Sequence, residues 1–184
     1  MATREVHIQI FDESGREAVI AYVSIDEQVD ADFTRARRRA FLRRVGARLR
    51  GHSSSAGLVS FEATRKALGV RNKVRLGRRA VPVERIVGSV GRHRDFDAGF
   101  LPARASLETK WKRIDQAFHR GAQLPPVCLY KVGDAYFVAD GNHRVSVARY
   151  QGVQWIDAEV VELGVRAPAA RQRASRRGRC GTAA

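Results

Sequence analysis

Two apolar runs, "PVCLYKV" and "AYFVAD", are separated by Gly133-Asp134 and followed at once by the short helical pattern "NHRVSVARY". Gly-Asp between alternating strands is a tight-hairpin signal, and a hairpin that feeds a helix directly leaves few architectures open. The helix is expected from about His143 to Tyr150, with Gly152 as its stop. "QWIDAEVVEL" then reads as a final strand, with Ile156, Ala158 and Val160 on one face and Trp155 on the other. Upstream, "AVPVERIVGSV" suggests a strand from Val81 to Val87. Residues Arg104 to Arg120 form the clearest helix, because Leu107, Trp111, Ile114 and Phe118 share one face. The order strand, helix, hairpin, helix, strand predicts a small α+β domain over 81–163, with the Trp111 face in its core.

The preceding residues have another character. Val6–Phe11 and Ala18–Ile25 are β-branched runs around "DESG", and 1–30 reads as a hairpin segment. Residues 31–80 read as a basic helical segment. Its main helix carries Phe41, Val45 and Leu49 at four-residue spacing, with Leu42 beside them, on a surface of arginine. That stripe is expected to pack on the domain. Gly51–Gly57 is a flexible break, Ser60–Leu68 a short Ser-capped helix, and "GVRNKVRLGRR" a basic link. Residues 164–184, rich in Arg and Ala, are expected to be a disordered tail.

Charge narrows the partners. The 184 residues carry 29 arginines and 5 lysines against 19 acids, a net charge of +15. Such a surplus favours polyanions, because each phosphate neutralised releases condensed counterions. Arg35, Arg37, Arg38, Arg39, Arg43 and Arg44 are the candidates for contact with a DNA backbone. A membrane partner is not expected: no apolar run approaches the roughly 18 residues that span a bilayer, and the helix stripe is narrow. The N-terminus lacks a secretory pattern, so a cytoplasmic location is expected. Cys128 lies in an apolar run and Cys180 in the tail, a spacing that suits neither zinc nor redox chemistry. His7 and His52 have no visible partner.

The chemistry concentrates in "DGNHR", Asp140 to Arg144, between strand and helix. One reading is a helix cap, with Asp140 or Asn142 accepting from the first amides. The other is a phosphate site, because a helix N-terminus presents free N–H groups and positive dipole. Gly141 would let a phosphate approach the backbone, Arg144 and Arg149 would add charge, and Asn142 and Ser146 would offer neutral hydrogen bonds. His143 would donate a hydrogen bond or act as acid or base near neutral pH. Asp140 is the candidate for holding Mg2+ or orienting a hydroxyl.

A resemblance covers the same region. "VPVERIVGSVGRHRDFD" and "VGDAYFVADGNHRVSVARYQG" are similar to the two boxes of the N-terminal domain of ParB partition proteins, in the wider ParB/sulfiredoxin superfamily. Arg94 falls at the arginine of the first box, and Gly141, His143, Arg144 and Ala148 fall in register with the second. The resemblance implies a small mixed-sheet domain, here preceded by a hairpin and a basic helix and standing without a helix-turn-helix domain. It also implies a nucleotide pocket between the boxes, since ParB proteins use CTP, sulfiredoxins ATP and free serine kinases ADP. The implied phosphate-gripping set is Gly141, Asn142, His143, Arg144 and Arg94. Asn142 stands where sulfiredoxins place a reactive cysteine and ParB proteins a glutamate, which points away from sulfinic-acid reduction. The expectation is a nucleotide-binding protein that hydrolyses or transfers phosphate on or near DNA, with His143 and Asp140 as catalytic candidates. A non-enzymatic DNA-binding module and a small-metabolite kinase stand as alternatives.

Overall fold

The computed structural model describes residues 9–11, 17–19, 23–51, 57–69 and 72–164. Strands β1 (Gln9–Phe11) and β2 (Glu17–Val19) pair antiparallel, Gln9 opposite Val19. The turn between them, His7, His52, Cys180 and the tail lie outside the described residues. The main sheet has six strands in the order β3-β5-β7-β6-β8-β4 and is mixed, with three parallel and two antiparallel pairings. The fold is α+β.

The hairpin is where its turn chemistry placed it. β6 (Val127–Val132) and β7 (Ala135–Asp140) pair antiparallel across Gly133, whose φ of 58° favours glycine. Alternation then sorts their side chains. Val127, Leu129, Tyr136 and Val138 enter the main core, together with Ala158 and Val160 of β8 (Trp155–Gly164) and Val145 of α4 (Asn142–Tyr150). Tyr130, Val132 and Phe137 face the other way, onto Phe61 of α2 (Phe61–Leu68), with Phe61 and Tyr130 ring centroids 5.1 Å apart. Both faces of the sheet centre are covered, which is why β7 reads as a nearly continuous apolar run.

Upstream of the hairpin the chain departs from the sequence reading. The stretch expected to be a basic link is the longest strand among the described residues, β4 (Asn72–Pro82), paired antiparallel with β8 from Asn72–Gly164 to Pro82–Trp155. The strand expected over Val81–Val87 is instead the end of β4, a 3-10 turn at Val83–Arg85, and β5 (Ile86–Ser89). β5 is covered by β7 on one side and by the short β3 (Val59–Ser60) on the other. The helix expected from Arg104 to Arg120 is a 3-10 turn, Ala105–Leu107, leading into α3 (Glu108–His119). Trp111 is fully buried as predicted, but Phe118 is 38% exposed at the end of the helix.

The long helix α1 (Ile25–Leu49) begins earlier than expected. Ser24 caps it with its side chain on the Glu27 amide while the Glu27 carboxylate accepts from the Ser24 amide, so Ile25 is helical and not strand. Its buried face is Val29, Phe33, Ala36 and Ala40, of which the last three pack with Trp111, Leu101 and Val147. The stripe expected to pack faces away, with Phe41 61%, Leu42 57% and Leu49 83% exposed. At about 100° of rotation per residue, Phe41, Leu42, Val45 and Leu49 lie well around the helix from the Phe33–Ala36–Ala40 seam. Small alanines bring the helix close enough for the Phe33 and Trp111 rings to meet, tilted at 53° with centroids 5.6 Å apart.

Candidate functional site

β7 ends at Asp140 and α4 begins at Asn142, so the chain must reverse within Gly141. Gly141 holds a φ of 97°, and a Cβ there would sit 2.7 Å from Val127 Cγ1 and 3.1 Å from the Arg144 guanidinium. Only glycine fits this junction without displacing both neighbours. Gly141 is also the N-cap residue, and no side chain caps the helix. The capping role open to Asp140 and Asn142 is therefore not taken up. Asp140 accepts from Arg144 Nη2 at 2.7 Å, and Asn142 is buried with its Oδ1 unpartnered.

The first turn of α4 forms one wall of a pocket of about 420 Å³, lined also by Val90, Arg92, Lys110, Arg113, Ile114 and Ala139. The volume lies in the range of small-ligand sites. Arg92, Lys110, Arg113 and Arg144 bring four basic side chains to the lining, against the single carboxylate of Asp140. With the positive end of α4 among them, the lining carries a surplus of positive charge, a field that attracts anions.

The cations divide by what already holds them. Arg144 is committed to its own chain: Nη1 donates to the Pro125 and Pro126 carbonyls and Nη2 to Asp140, which ties the segment before β6 to α4. Arg92 bonds Asp95 at 3.1 Å and stands 3.4 Å from His143 Nε2. Lys110 and Arg113 are exposed on α3, one turn apart. Sequence reading missed this pair. The available signal was their three-residue spacing on the face of α3 away from Trp111, visible only once that helix is placed beside the DGNHR loop.

His143 stands half-buried against Phe96, edge to face with ring centroids 5.6 Å apart, and its Nδ1 has no partner. Burial, with Arg92 and Lys110 close by, pushes its imidazole down to about 4. It is therefore neutral at pH 7. It can accept a proton in a reaction but has none to give as a cationic acid, which narrows the acid-or-base role read from the sequence.

Three predicted residues point elsewhere. Arg94 is exposed and does not line the pocket: the turn closed by Asp95 N–H on Arg92 C=O presents Arg92 to the pocket instead. Ser146 is fully buried and accepts from Trp111 Nε1 at 2.9 Å. Arg149 donates to the Glu84 and Ile86 carbonyls, clamping α4 to the turn before β5. Among the described residues, no trio of metal-ligating side chains includes Asp140. Of the arginines proposed for DNA, Arg35 bonds Asp32 at 3.5 Å, Arg39 lies over the Tyr150 ring at 5.2 Å, and Arg43 faces Asp97 at 3.6 Å. Arg37 and Arg38 are exposed, and Arg44 is half-buried.

No family model matches the chain, and no curated protein matches it either. Among solved structures it is similar to the sulfiredoxin of Arabidopsis thaliana, at 18% identity and a TM-score of 0.34, over 49% of this chain and 84% of that one. At that extent of likeness the α+β fold rests on the strands and helices described above. No described helix is long and apolar enough to cross a membrane.

Proposed function

We propose that the chain is a nucleotide-binding protein that holds the phosphates of CTP, ATP or ADP, with Mg2+ accompanying them, at the N-terminus of α4, and that it works on or near DNA. The observation carrying this reading is the uncapped start of α4 opening into a cavity lined by Arg92, Lys110, Arg113 and Arg144. Gly141, Asn142 and His143 offer the amides, Lys110 and Arg113 the free charge, and Arg144 fixes the loop. Asp140 lies at the rim, where it would meet a phosphate-bound Mg2+. Neutral His143 is the residue placed to take a proton should bound nucleotide be hydrolysed or its phosphate transferred. The resemblance of the two sequence boxes to ParB-type domains agrees with this assignment.

The test is thermal unfolding of the full chain with CTP, ATP, ADP or GTP and Mg2+, beside the Lys110→Ala/Arg113→Ala variant. This variant is preferable to Arg144→Ala, which would also free the Pro125–Pro126 segment. Ligand at a hundredfold excess over its Kd adds about 2.7 kcal/mol of stability, roughly 5–10 °C in Tm for a chain of this size. The expected result is a base-selective rise, with affinity reduced at least about tenfold per cation removed. No rise with any nucleotide at millimolar concentration would overturn the reading and leave a non-enzymatic DNA-binding module. A rise with ADP and phosphate transfer to a small hydroxyl compound would assign the kinase chemistry instead.

A further inference from the structure

On the side of α3 away from the pocket, Asp115 and His119 project from successive turns toward Asp32 of α1. At four-residue spacing the two α3 side chains share one face of the helix. His119 Nε2 lies 3.1 Å from Asp32 Oδ2 and 3.6 Å from Asp115 Oδ2, and one donor atom from each residue falls within 4.8 Å of the others. A tetrahedral ion bonded at roughly 2.0–2.2 Å has ligand-to-ligand edges of about 3.3–3.6 Å. The two edges that meet at His119 Nε2, 3.1 and 3.6 Å, are close to those of such a ligand set, and the third is no longer than 4.8 Å.

The far atoms of the two carboxylates are already held. Tyr150 Oη donates to Asp32 Oδ1 at 2.8 Å, and Gln151 Nε2 donates to Asp115 Oδ1 at 2.8 Å. This leaves Oδ2 of each turned toward the imidazole, the arrangement in which outer hydrogen bonds orient metal-binding carboxylates. Asp115 is fully buried, yet its Oδ2 has no hydrogen-bond partner. A buried carboxylate oxygen in that position carries a desolvation cost that a cation would offset. The Gln151 amide, whose nitrogen lies 3.4 Å from both Asp32 Oδ2 and His119 Nε2, closes a fourth side.

We infer that Asp32, Asp115 and His119 form a site for a divalent transition-metal ion of the zinc class, clipping α1 to α3. One imidazole and two carboxylates without a thiolate suit Zn2+ and its substitute Co2+. The ligands come from two helices far apart in the sequence, and Tyr150 and Gln151 tie in the end of α4, so occupancy holds three helices together.

The full chain is stripped with chelator and titrated with Co2+, then with Zn2+, without nucleotide, so the result stands apart from the phosphate pocket. The site predicts visible ligand-field absorption saturating at one Co2+ per chain, displaced by Zn2+, together with a rise in Tm on Zn2+ addition. Asp115→Asn and His119→Gln should each abolish the absorption and the Tm rise. Both preserve side-chain size, and far-UV circular dichroism of the metal-free variants checks that they fold. If Asp115→Asn does not fold, His119→Gln decides. Wild-type protein lacking the Co2+ band, or a band and Tm rise unchanged in His119→Gln, would overturn the inference and leave a hydrogen-bonded carboxylate–imidazole cluster.

Discussion

His143 and Ser146 occupy the same short helix and do opposite work. The imidazole ordinarily titrates at 6.5, and burial beside Arg92 and Lys110 lowers it to about 4. Between these values the unfolded chain binds a proton that the folded chain refuses, so stability falls as pH drops from 6.5 toward 4. Urea midpoints measured across that window should decline in the wild type and decline less in His143→Gln. A bound triphosphate adds negative charge beside the ring, so the NMR titration of His143 should move upward when nucleotide is present. Ser146, by contrast, serves the core. Ser146→Ala leaves Trp111 Nε1 without its acceptor and should cost about 1–3 kcal/mol in chemical denaturation, with nucleotide affinity unchanged. A lost affinity in a folded Ser146→Ala protein would return the hydroxyl to the binding site. Nothing local separates these two residues in the sequence: both follow Gly141, and only the direction of Trp111 shows which one turns inward.

At the scale of elements, α1 presents different sides to the protein and to solvent. Val29, Phe33, Ala36 and Ala40 dock, Arg39 and Arg43 lean on Tyr150 and Asp97, and Arg37 and Arg38 point outward. If α1 lies along a DNA backbone, Arg37→Ala/Arg38→Ala should weaken binding uniformly across sequences. It should also make the log–log salt dependence shallower by about 1.8, since each phosphate left unneutralised removes about 0.9 from the slope. An electrophoretic series at several salt concentrations reads this directly, and an unchanged slope would remove α1 from the interface. The existence of this helix was legible, but its docking face was not, because Ala36 and Ala40 carry little hydrophobic weight beside Phe41 and Leu42. Hairpin β6–β7 was legible for the reverse reason, since its turn, alternation and partner lie within one stretch. β4 was not: most of its residues are exposed, and its partner strand lies at the far end of the domain.

The molecule as a whole gathers the pocket from segments that the sequence keeps apart: the turn after β5, helix α3, and the β7–α4 junction. The Gly141 loop could be singled out because its residues are consecutive. Lys110 and Arg113 could not, because their relation to that loop exists only after the sheet has formed. The pairing of β4 with β8 carries this dependence furthest, since Asn72 finds its partner at Gly164. During synthesis β4 emerges early and waits while the hairpin, α3 and the pocket loop are made. Lys73, Arg75, Arg78 and Arg79, with the irregularity between Arg75 and Gly77, guard the unpaired strand against pairing with another chain. Non-local closure of this kind slows folding. A chain released after Val153 should show fast amide exchange throughout β4 while the β6–β7 hairpin stays protected, so the order in which the protein is made sets the order in which its sheet can close.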